Sequence, residues 1–320
     1  MKVLLTGAAG FIGSHVADLL IKQGHSVIAV DNFNDYYNPD FKEDNVSHLI
    51  GHEAYQLVRA DITNEASMRA VFSEHKPDAI IHLAAQAGVR ISIQEPLRAA
   101  TNNITATYIL LELAHEFGVK DFVFASSSSV YGNQEKTPFS ESDPVDLPIS
   151  PYAATKKACE LIAYTYHHLY KMNCVGLRFF TVYGERGRPD MSPYIFADAI
   201  INDKPLRRYG DGSMERDFTY IDDIASGVVA CLGKDLGYAI INLGNSNSVT
   251  LRDYIATFEK ILGKSAIIDE QPLQPGDVFK TYADVSQAKA LLNWEPTTDL
   301  ETGLTKFLTW FKENRSGKPL

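Results

Sequence analysis

The chain opens with the stretch Met1-Lys-Val-Leu-Leu-Thr-Gly-Ala-Ala-Gly-Phe-Ile-Gly13, from which the fold can be inferred. The apolar run from Val3 to Leu5 leads directly into glycines and then into a helical pattern, which predicts a buried strand turning sharply into a helix. Such a turn is typical of a pyrophosphate site, because helix N–H groups and the positive end of the helix dipole face the anion. The spacing Gly7-x-x-Gly10-x-x-Gly13 matches the G-x-G-x-x-G pattern of dinucleotide sites only in part.

An acidic residue follows the glycine turn at an informative distance. A second apolar run, Ser26 to Val30, ends at Asp31, about twenty residues after the turn. A carboxylate there can accept both hydroxyls of an adenosine ribose and would repel a 2′-phosphate, which favours NAD over NADP. The alternative is that Asp31 only caps a strand. It is disfavoured because the glycine turn and the acidic residue occur together at the spacing of a dinucleotide site.

The first half of the chain alternates strand and helix patterns. Strands are predicted at Tyr55–Asp61, Asp78–His82 and Asp121–Ala125, with helices from Thr63 or Asn64 to Glu74 and from Pro96 to Gly118. This order predicts an α/β fold, a Rossmann-type doubly wound parallel sheet with helices on both faces. Ligands of such sheets bind at the carboxyl ends of the strands. The residues expected at that edge are Gly7, Asp31, Asp61, Leu83 to Gln86 and Ser126 to Ser129.

The polar and aromatic segment from Asn32 to Gly51 interrupts the alternation. We interpret it as a loop near the adenosine, with most of its residues on the surface.

Composition restricts the class of protein. The chain has 320 residues, 45% of them hydrophobic, which suffices for one large α/β unit or two unequal lobes. Its formal net charge of −10 argues against nucleic acid or an anionic membrane as the main partner. The three cysteines and nine histidines show no metal-type spacing, and the glycine turn at the N-terminus leaves no room for a signal peptide. A reducing cytoplasm without a metal site is the expectation.

The most informative chemistry lies around Tyr152. Ser150-Pro151 is typical of a helix start, so Tyr152 and Lys156 fall one turn apart on one helix face. A phenol is normally a poor base near neutral pH, but a neighbouring ammonium stabilises the phenolate. Tyr-x-x-x-Lys alone is weak evidence; downstream of a dinucleotide turn and a strand ending in serines it predicts a redox site.

Four motifs together resemble the extended short-chain dehydrogenase/reductase family over essentially the whole chain. They are Thr6-Gly-x-x-Gly-x-x-Gly13, Ser126-Ser-Ser-Ser-Val-Tyr-Gly132, Tyr152-x-x-x-Lys156 and Arg216-Asp-Phe-x-Tyr-Ile-Asp-Asp223. The family's glycine loop has this three-residue spacing. Within the family the chain is most similar to UDP-glucuronate 4-epimerases, on three features: Asp31-Asn-Phe-Asn-Asp-Tyr-Tyr37, Ala85-Gln-Ala-Gly-Val-Arg90, and Arg178-Phe-Phe-Thr-Val-Tyr-Gly184 followed by Arg188-Pro-Asp-Met191.

The resemblance implies a catalytic set and a cofactor. Tyr152 would take the proton of the sugar 4-hydroxyl while hydride leaves C4 for NAD, Ser127 would bind the same oxygen, and Lys156 would hold the nicotinamide ribose. The resulting 4-keto sugar would turn over and be reduced on its other face, so NAD would be regenerated. The implied NAD contacts are Gly7, Gly10, Phe11, Ile12, Gly13, Asp31, Asn32, Asp61, Ile62, Leu83, Ala84, Ala85, Gln86, Asn102, Tyr152, Lys156 and Phe180.

A uronate substrate needs protection, because a carboxylate β to a ketone is readily lost as carbon dioxide. By resemblance, Thr181 and Arg188 would hold the carboxylate, with Ser128, Ser129 and Arg90 lining the same pocket. A structural ion pair near the cofactor loop is the alternative for Arg90.

Related activities remain as alternatives. The family's dehydratases carry an Asp-Glu pair at the positions of Ser128 and Ser129, and its UDP-glucuronate decarboxylases carry Glu at the second. Neutral-hexose epimerases tend to have Asn at the position of Thr181, which favours the uronate over UDP-glucose and UDP-galactose. A non-catalytic NAD-sensing module is the alternative from another class, but it would need no base at the nicotinamide.

The remainder of the chain is predicted to bind the UDP. Regular alternation weakens after Thr181, so we expect an NAD-binding domain at 1–180 and a smaller C-terminal α/β substrate lobe at 181–320, with the segment 218–245 returning to the main sheet. By resemblance the UDP contacts are Met191, Tyr209, Arg216 and Asp277, and Lys280 or Arg207 would replace a second arginine that related enzymes carry. The family also implies a homodimer through helices around Asn102–Phe117 and Ser150–Tyr170.

Overall fold

A parallel sheet of seven strands forms the centre of the fold in the computed structural model, which describes residues 1–272 and 279–315. The strands in chain order are β1 (Lys2–Thr6), β2 (Ser26–Asp31), β3 (Tyr55–Arg59), β4 (Ala79–His82), β5 (Asp121–Ser127), β6 (Asn173–Phe179), β7 (Thr181–Tyr183), β8 (Pro205–Tyr209), β9 (Glu215–Tyr220), β10 (Tyr238–Leu243), β11 (Ser248–Thr250) and β12 (Ile267–Gln271).

The order of strands across this sheet is β10-β6-β5-β4-β1-β2-β3, and every neighbouring pair is parallel. From β1 the chain proceeds outward to β2 and β3, and then crosses back to place β4 on the other side of β1. This change of direction opens a crevice at the carboxyl ends of β1 and β4. The predicted doubly wound sheet is confirmed.

Side chains alternate between the two faces of the sheet, and both faces are buried. Leu5 and Ala29 belong to one apolar cluster, while their neighbours Leu4 and Ile28 belong to the cluster on the opposite face. This arrangement explains why the strands appear in the sequence as short, continuous apolar runs.

The helices cover both faces and build the second lobe. The helix predicted from Pro96 to Gly118 is divided in three, because a π-helical turn at Thr101–Thr105 separates α5 from α6. The α-helices are α1 (Phe11–Lys22), α2 (Asp40–Val46), α3 (Glu65–His75), α4 (Val89–Gln94), α5 (Pro96–Ala100), α6 (Ala106–Glu116), α7 (Pro151–Tyr170), α8 (Ser192–Ile201), α9 (Ile221–Val229), α10 (Leu251–Leu262), α11 (Ser286–Leu292) and α12 (Leu300–Asn314).

The interpretation of 32–51 as a mostly exposed loop is wrong. The segment contains α2, on which Phe41, Lys42, Asn45 and Val46 are buried. Phe41 packs edge-on against Tyr194, with 5.9 Å between ring centroids. The contact comes from a helix about 150 residues away in sequence, so no local pattern reveals it.

Two small sheets lie outside the main one. One has the order β11-β9-β7 and the other pairs β12 with β8. Between leaving the main sheet after β6 and returning to it at β10, the chain forms β7 to β9 and the helices among them. In the described part of the chain, no helix is both long and apolar enough to cross a membrane.

Candidate active site

A cavity of about 940 Å³ lies at the carboxyl ends of the central strands. It brings together every predicted cofactor, catalytic and substrate residue except Asp277, which lies outside the described residues. These residues are Gly7, Gly10, Phe11, Ile12, Gly13, Asp31, Asn32, Asp61, Ile62, Leu83, Ala84, Ala85, Gln86, Arg90, Asn102, Ser127, Ser128, Ser129, Tyr152, Lys156, Phe180, Thr181, Arg188, Met191, Tyr209 and Arg216.

The glycine turn forms the floor of one end of the cavity. Gly7 adopts φ +70, and a Cβ there would lie 2.7 Å from the backbone nitrogen of Ala84. A Cβ on Gly13 would lie 2.0 Å from the carbonyl oxygen of Gly7. The following helix has no acidic side chain in its first turn, so nothing there opposes an anion. This close-packed turn fits the pyrophosphate of a dinucleotide.

Asp31 lies beside the glycine turn and is buried. One carboxylate oxygen accepts the Ala9 N–H at 3.1 Å, and the other accepts the Phe33 N–H at 2.9 Å. The Lys42 ammonium is 3.8 Å from this carboxylate, and burial lowers the pKa of Lys42 although Asp31 opposes the shift. The buried Asp31 carboxylate, which is predicted to bind the ribose, therefore has the buried Lys42 ammonium as its neighbour.

A second buried polar group faces the middle of the cavity. Gln86 is held through its backbone, since its N–H donates to the side chain of Asn103 at 2.8 Å and its carbonyl accepts from it at 3.2 Å. Its side-chain nitrogen Nε2 is buried with no hydrogen-bond partner among the described residues. Asn102, next to Asn103, lies in the π-helical turn, a feature frequent at functional sites. An unsatisfied buried donor at this point fits a cofactor that supplies the acceptor.

Helix α7 presents Tyr152 and Lys156 to the cavity from its first turns. Ser150 caps the helix, its hydroxyl accepting the Ala153 N–H at 3.1 Å, as predicted. Lys156 Nζ donates to the Ala125 carbonyl at 2.8 Å and lies 5.9 Å from the centroid of the Tyr152 ring. The Tyr152 N–H donates to the hydroxyl of Ser92, which fixes the start of α7 against α4.

The serine cluster at the end of β5 completes this part of the site. Ser127 donates to the Ser129 hydroxyl at 2.9 Å and accepts the Ser129 N–H at 3.2 Å. Directly below, Ser126 donates to Glu160 at 2.7 Å, and Arg178 binds the same carboxylate through two nitrogens at 2.8 and 2.9 Å. This buried ion pair joins β6 to α7 and β5, the elements that carry Tyr152, Lys156 and Ser127.

Arg188 has partners that sequence reasoning missed. Its Nε and Nη2 donate to the two carboxylate oxygens of Asp190 at 2.9 and 2.6 Å. The Tyr36 hydroxyl donates to the same carboxylate at 3.1 Å. Tyr36, Lys42 and Asp190 line the cavity but were not predicted; the aromatic segment directly after Asp31 was the one available signal for the first two.

The far end of the cavity carries aromatic and basic side chains. The Arg90 guanidinium lies 5.1 Å from the centroid of the Tyr209 ring. Arg216 Nη1 donates to the carbonyl oxygens of Glu215 and Phe279. Of the two suggested additional donors, Arg207 lines the cavity, whereas Lys280 pairs with Glu215 at 2.8 Å and does not.

Comparison with known proteins identifies the family. Residues 4–307 match the family model described as GDP-mannose 4,6 dehydratase. The chain belongs to the extended short-chain dehydrogenase/reductase family. Among curated members of this family, a UDP-glucuronate 4-epimerase of Thermodesulfobacterium geofontis is 48% identical, over 97% of this chain and 96% of its own length.

Solved structures of this family share the fold of this chain. A UDP-glucuronic acid 4-epimerase from Bacillus cereus, in complex with UDP-glucuronic acid and NAD, superimposes with a TM-score of 0.92. It is 38% identical and covers 98% of this chain and 99% of its own. A UDP-glucose 4-epimerase from Thermotoga maritima, with UDP-glucose, gives a TM-score of 0.90 at 34% identity over 98% of this chain and 99% of its own.

Proposed function

We propose that this chain is an NAD-dependent UDP-glucuronate 4-epimerase that interconverts UDP-glucuronate and UDP-galacturonate. The observation that carries the proposal is that one cavity contains both Tyr152 with Lys156 and, beside them, Thr181 with Arg188. The first pair supports oxidation at C4, and the second supports recognition of a carboxylate. Hydroxyls rather than acids at Ser128 and Ser129 leave no extra acid for elimination.

NAD would supply a reversible hydride acceptor for C4 of the sugar, so the cofactor would be regenerated in each cycle. The glycine turn, Asp31 and the unpartnered Gln86 Nε2 are the groups that would hold it. The fit rests on the unpartnered Gln86 Nε2 and on the tight glycine turn, which leads into a helix with no acidic side chain in its first turn.

Tyr152 and Ser127 handle the proton of the 4-hydroxyl. Lys156 donates one of its protons to Ala125, which leaves the others for the ribose and for the Tyr152 oxygen. Tyr152 is the proposed base, and Lys156 is the cation beside its ring. In the structure Ser127 Oγ donates to the Ser129 hydroxyl, so donation to the sugar oxygen requires that the Ser127 hydroxyl rotate.

The proposal can be tested by proton NMR of the purified protein without added NAD. The protein is incubated with UDP-glucuronate and, separately, with UDP-glucose. The anomeric signal of UDP-galacturonate from the first substrate alone is the expected result. Conversion of UDP-glucose alone would contradict the uronate specificity, and a pentose product would show that the pocket permits decarboxylation.

Epimerisation of UDP-glucose and UDP-galactose is the second candidate. One observation favours it: the bidentate ion pair with Asp190 neutralises Arg188, so the cavity offers less free positive charge than the presence of Arg188 suggests. The two-substrate NMR experiment separates the candidates.

We further propose a two-lobe division, a cytoplasmic location and a homodimer. The division places NAD with residues 1–180, to which the segment 218–245 returns, and the sugar nucleotide with the rest of 181–320. The three cysteines are buried and reduced, which suits the cytoplasm. Support for the dimer comes from Tyr108, Leu161 and Tyr164, large apolar side chains exposed on the packed helices α6 and α7.

A further inference from the structure

The contact of Arg188 with Asp190 points to a role beyond structural support. We infer that Asp190 is a positioning residue. It binds Arg188 while no sugar carboxylate is present, and the C5 carboxylate of the uronate displaces it from Arg188. The inference rests on the proposed function, and it assigns to Asp190 and Tyr36 a part in substrate selection.

The geometry shows that Arg188 is already used as a carboxylate receptor. Two of its nitrogens, Nε and Nη2, bind the two oxygens of Asp190 in the fork arrangement that a guanidinium forms with any carboxylate. Within 1–272 and 279–315, Nη1 is left without a hydrogen bond. A sugar carboxylate therefore meets a neutral pair and either binds through one nitrogen or replaces Asp190.

Asp190 is suited to being replaced. Its side chain is 41% exposed, whereas that of Arg188 is 18% exposed, so the acid has access to water when it is displaced. Its hydrogen-bond partners in the described chain are Arg188 and Tyr36. Burial opposes its ionisation, but the bonds from Arg188 and Tyr36 outweigh this and hold the pKa of Asp190 below its usual range. The acid is thus charged near neutral pH and competes with the substrate as an anion.

Tyr36 anchors the acid from the cofactor side. Its hydroxyl donates to Asp190 at 3.1 Å, and its ring lies 5.3 Å from the Arg188 guanidinium. It belongs to the segment that follows Asp31, the predicted ribose ligand. The contact between Tyr36 and Asp190 therefore connects the cofactor end of the cavity to Arg188, the residue that would bind the sugar carboxylate.

A neutral sugar has nothing to exchange for Asp190. The UDP-glucose hydroxymethyl group carries no charge, so it leaves the ion pair intact and gains nothing from its removal. Asp190 therefore weakens binding of the uronate without affecting the neutral sugar, while it keeps Arg188 pre-oriented for a carboxylate.

Calorimetric titration with UDP-glucuronate and UDP-glucose measures this difference. The Tyr152→Phe variant serves as the parent, because the ligands then stay unconverted. Adding Asp190→Asn should tighten UDP-glucuronate binding roughly three- to tenfold and leave the Kd for UDP-glucose unchanged. Tyr36→Phe should act in the same direction but less, because both bonds to Arg188 remain. Glu301→Gln, which removes an exposed carboxylate paired with Lys260, should change neither Kd.

An unchanged or weakened affinity of Asp190→Asn for UDP-glucuronate would overturn the inference. So would an equal change in both Kd values, which a general disturbance of the pocket would produce. If the unmodified protein does not convert UDP-glucuronate in the NMR experiment, the proposed function fails and the inference fails with it. If it converts UDP-glucuronate but Asp190→Asn leaves both Kd values unaltered, only the inference about Asp190 fails.

Discussion

A Cβ atom on Gly13 would lie 2.0 Å from the carbonyl oxygen of Gly7. Both partners are fixed by the backbone of the turn, so no rotamer change relieves the contact. We expect Gly13→Ala to lower the free energy of unfolding by about 1–3 kcal/mol and to abolish NAD retention. Urea unfolding and quantification of the cofactor released on denaturation measure the two effects.

The matched control for this change is Gly10→Ala. A Cβ at that position lies 3.2 Å from the same oxygen, a contact that a small shift relieves. This variant should lower the free energy of unfolding less than Gly13→Ala does, and equal losses of stability in the two variants would contradict the steric argument.

Tyr152→Phe should abolish epimerisation while NAD stays bound. The change removes the one oxygen proposed to take the sugar proton, and loss of a general base costs about 10²–10⁴-fold or more. The anomeric proton signals report turnover, and the absorbance of the released cofactor reports retention. Tyr170→Phe, at the opposite end of the same helix, serves as the control. Turnover by Tyr152→Phe at the rate of this control would exclude the mechanism.

Asp31→Ser should reduce the preference for NAD over NADP. The carboxylate that would repel a 2′-phosphate is removed, while the Lys42 ammonium, 3.8 Å away, remains to attract one. We expect the ratio of the two Kd values to shift by about tenfold or more. Asp35→Ser removes an equal charge from an exposed position of the same segment and should leave the ratio unchanged. A ratio that responds equally to both changes would mean that only the net charge matters.

His82 should make the protein sensitive to acid. Burial, with a smaller effect of Lys156, lowers the pKa of His82 to about 3, whereas an unfolded histidine titrates near 6.5. Because the folded pKa is depressed, the contribution of His82 to stability is complete above about pH 6.5. It is lost as the pH falls toward 3, by up to about 1.4 kcal/mol per unit.

His82→Gln should therefore flatten the dependence of the unfolding free energy on pH between about 5 and 7. Urea unfolding across this range measures the slope. His168→Gln, an exposed position on α7, should keep the original slope. Equal slopes for all three proteins would show that His82 does not carry the effect.

Leu161→Lys should shift the proposed dimer toward monomer, because a buried ammonium in an apolar contact is costly. Leu161 is 56% exposed in the single chain. Light scattering after size exclusion gives the mass. Ile267→Lys changes a similarly exposed side chain on β12 and should leave the mass unaltered. A monomeric unmodified protein would refute the dimer.

The sequence was most informative where structure depends on neighbours along the chain. The glycine turn, the cap at Ser150 and the apolar strands are local features, and each was found at its predicted place. The cavity could also be anticipated, because parallel strands end at one edge. Its residues followed from family motifs rather than from periodicity.

Contacts between distant segments were not predictable. Phe41 is buried against Tyr194, and Tyr36 donates to Asp190 from 154 residues away. Neither contact produces a periodic pattern in the sequence. A charged residue in a polar segment is normally solvated, so its burial is decided by tertiary structure alone.

The last strand of the main sheet, β10, is made after the chain has already built much of the second lobe. Neither half can then be produced by cutting the chain once: a fragment ending at residue 180 lacks its edge strand and exposes the backbone of β6. Engineers who wish to exchange sugar specificity while retaining the cofactor half must transplant interleaved segments. A simple gene fusion at one junction would yield a protein prone to aggregate.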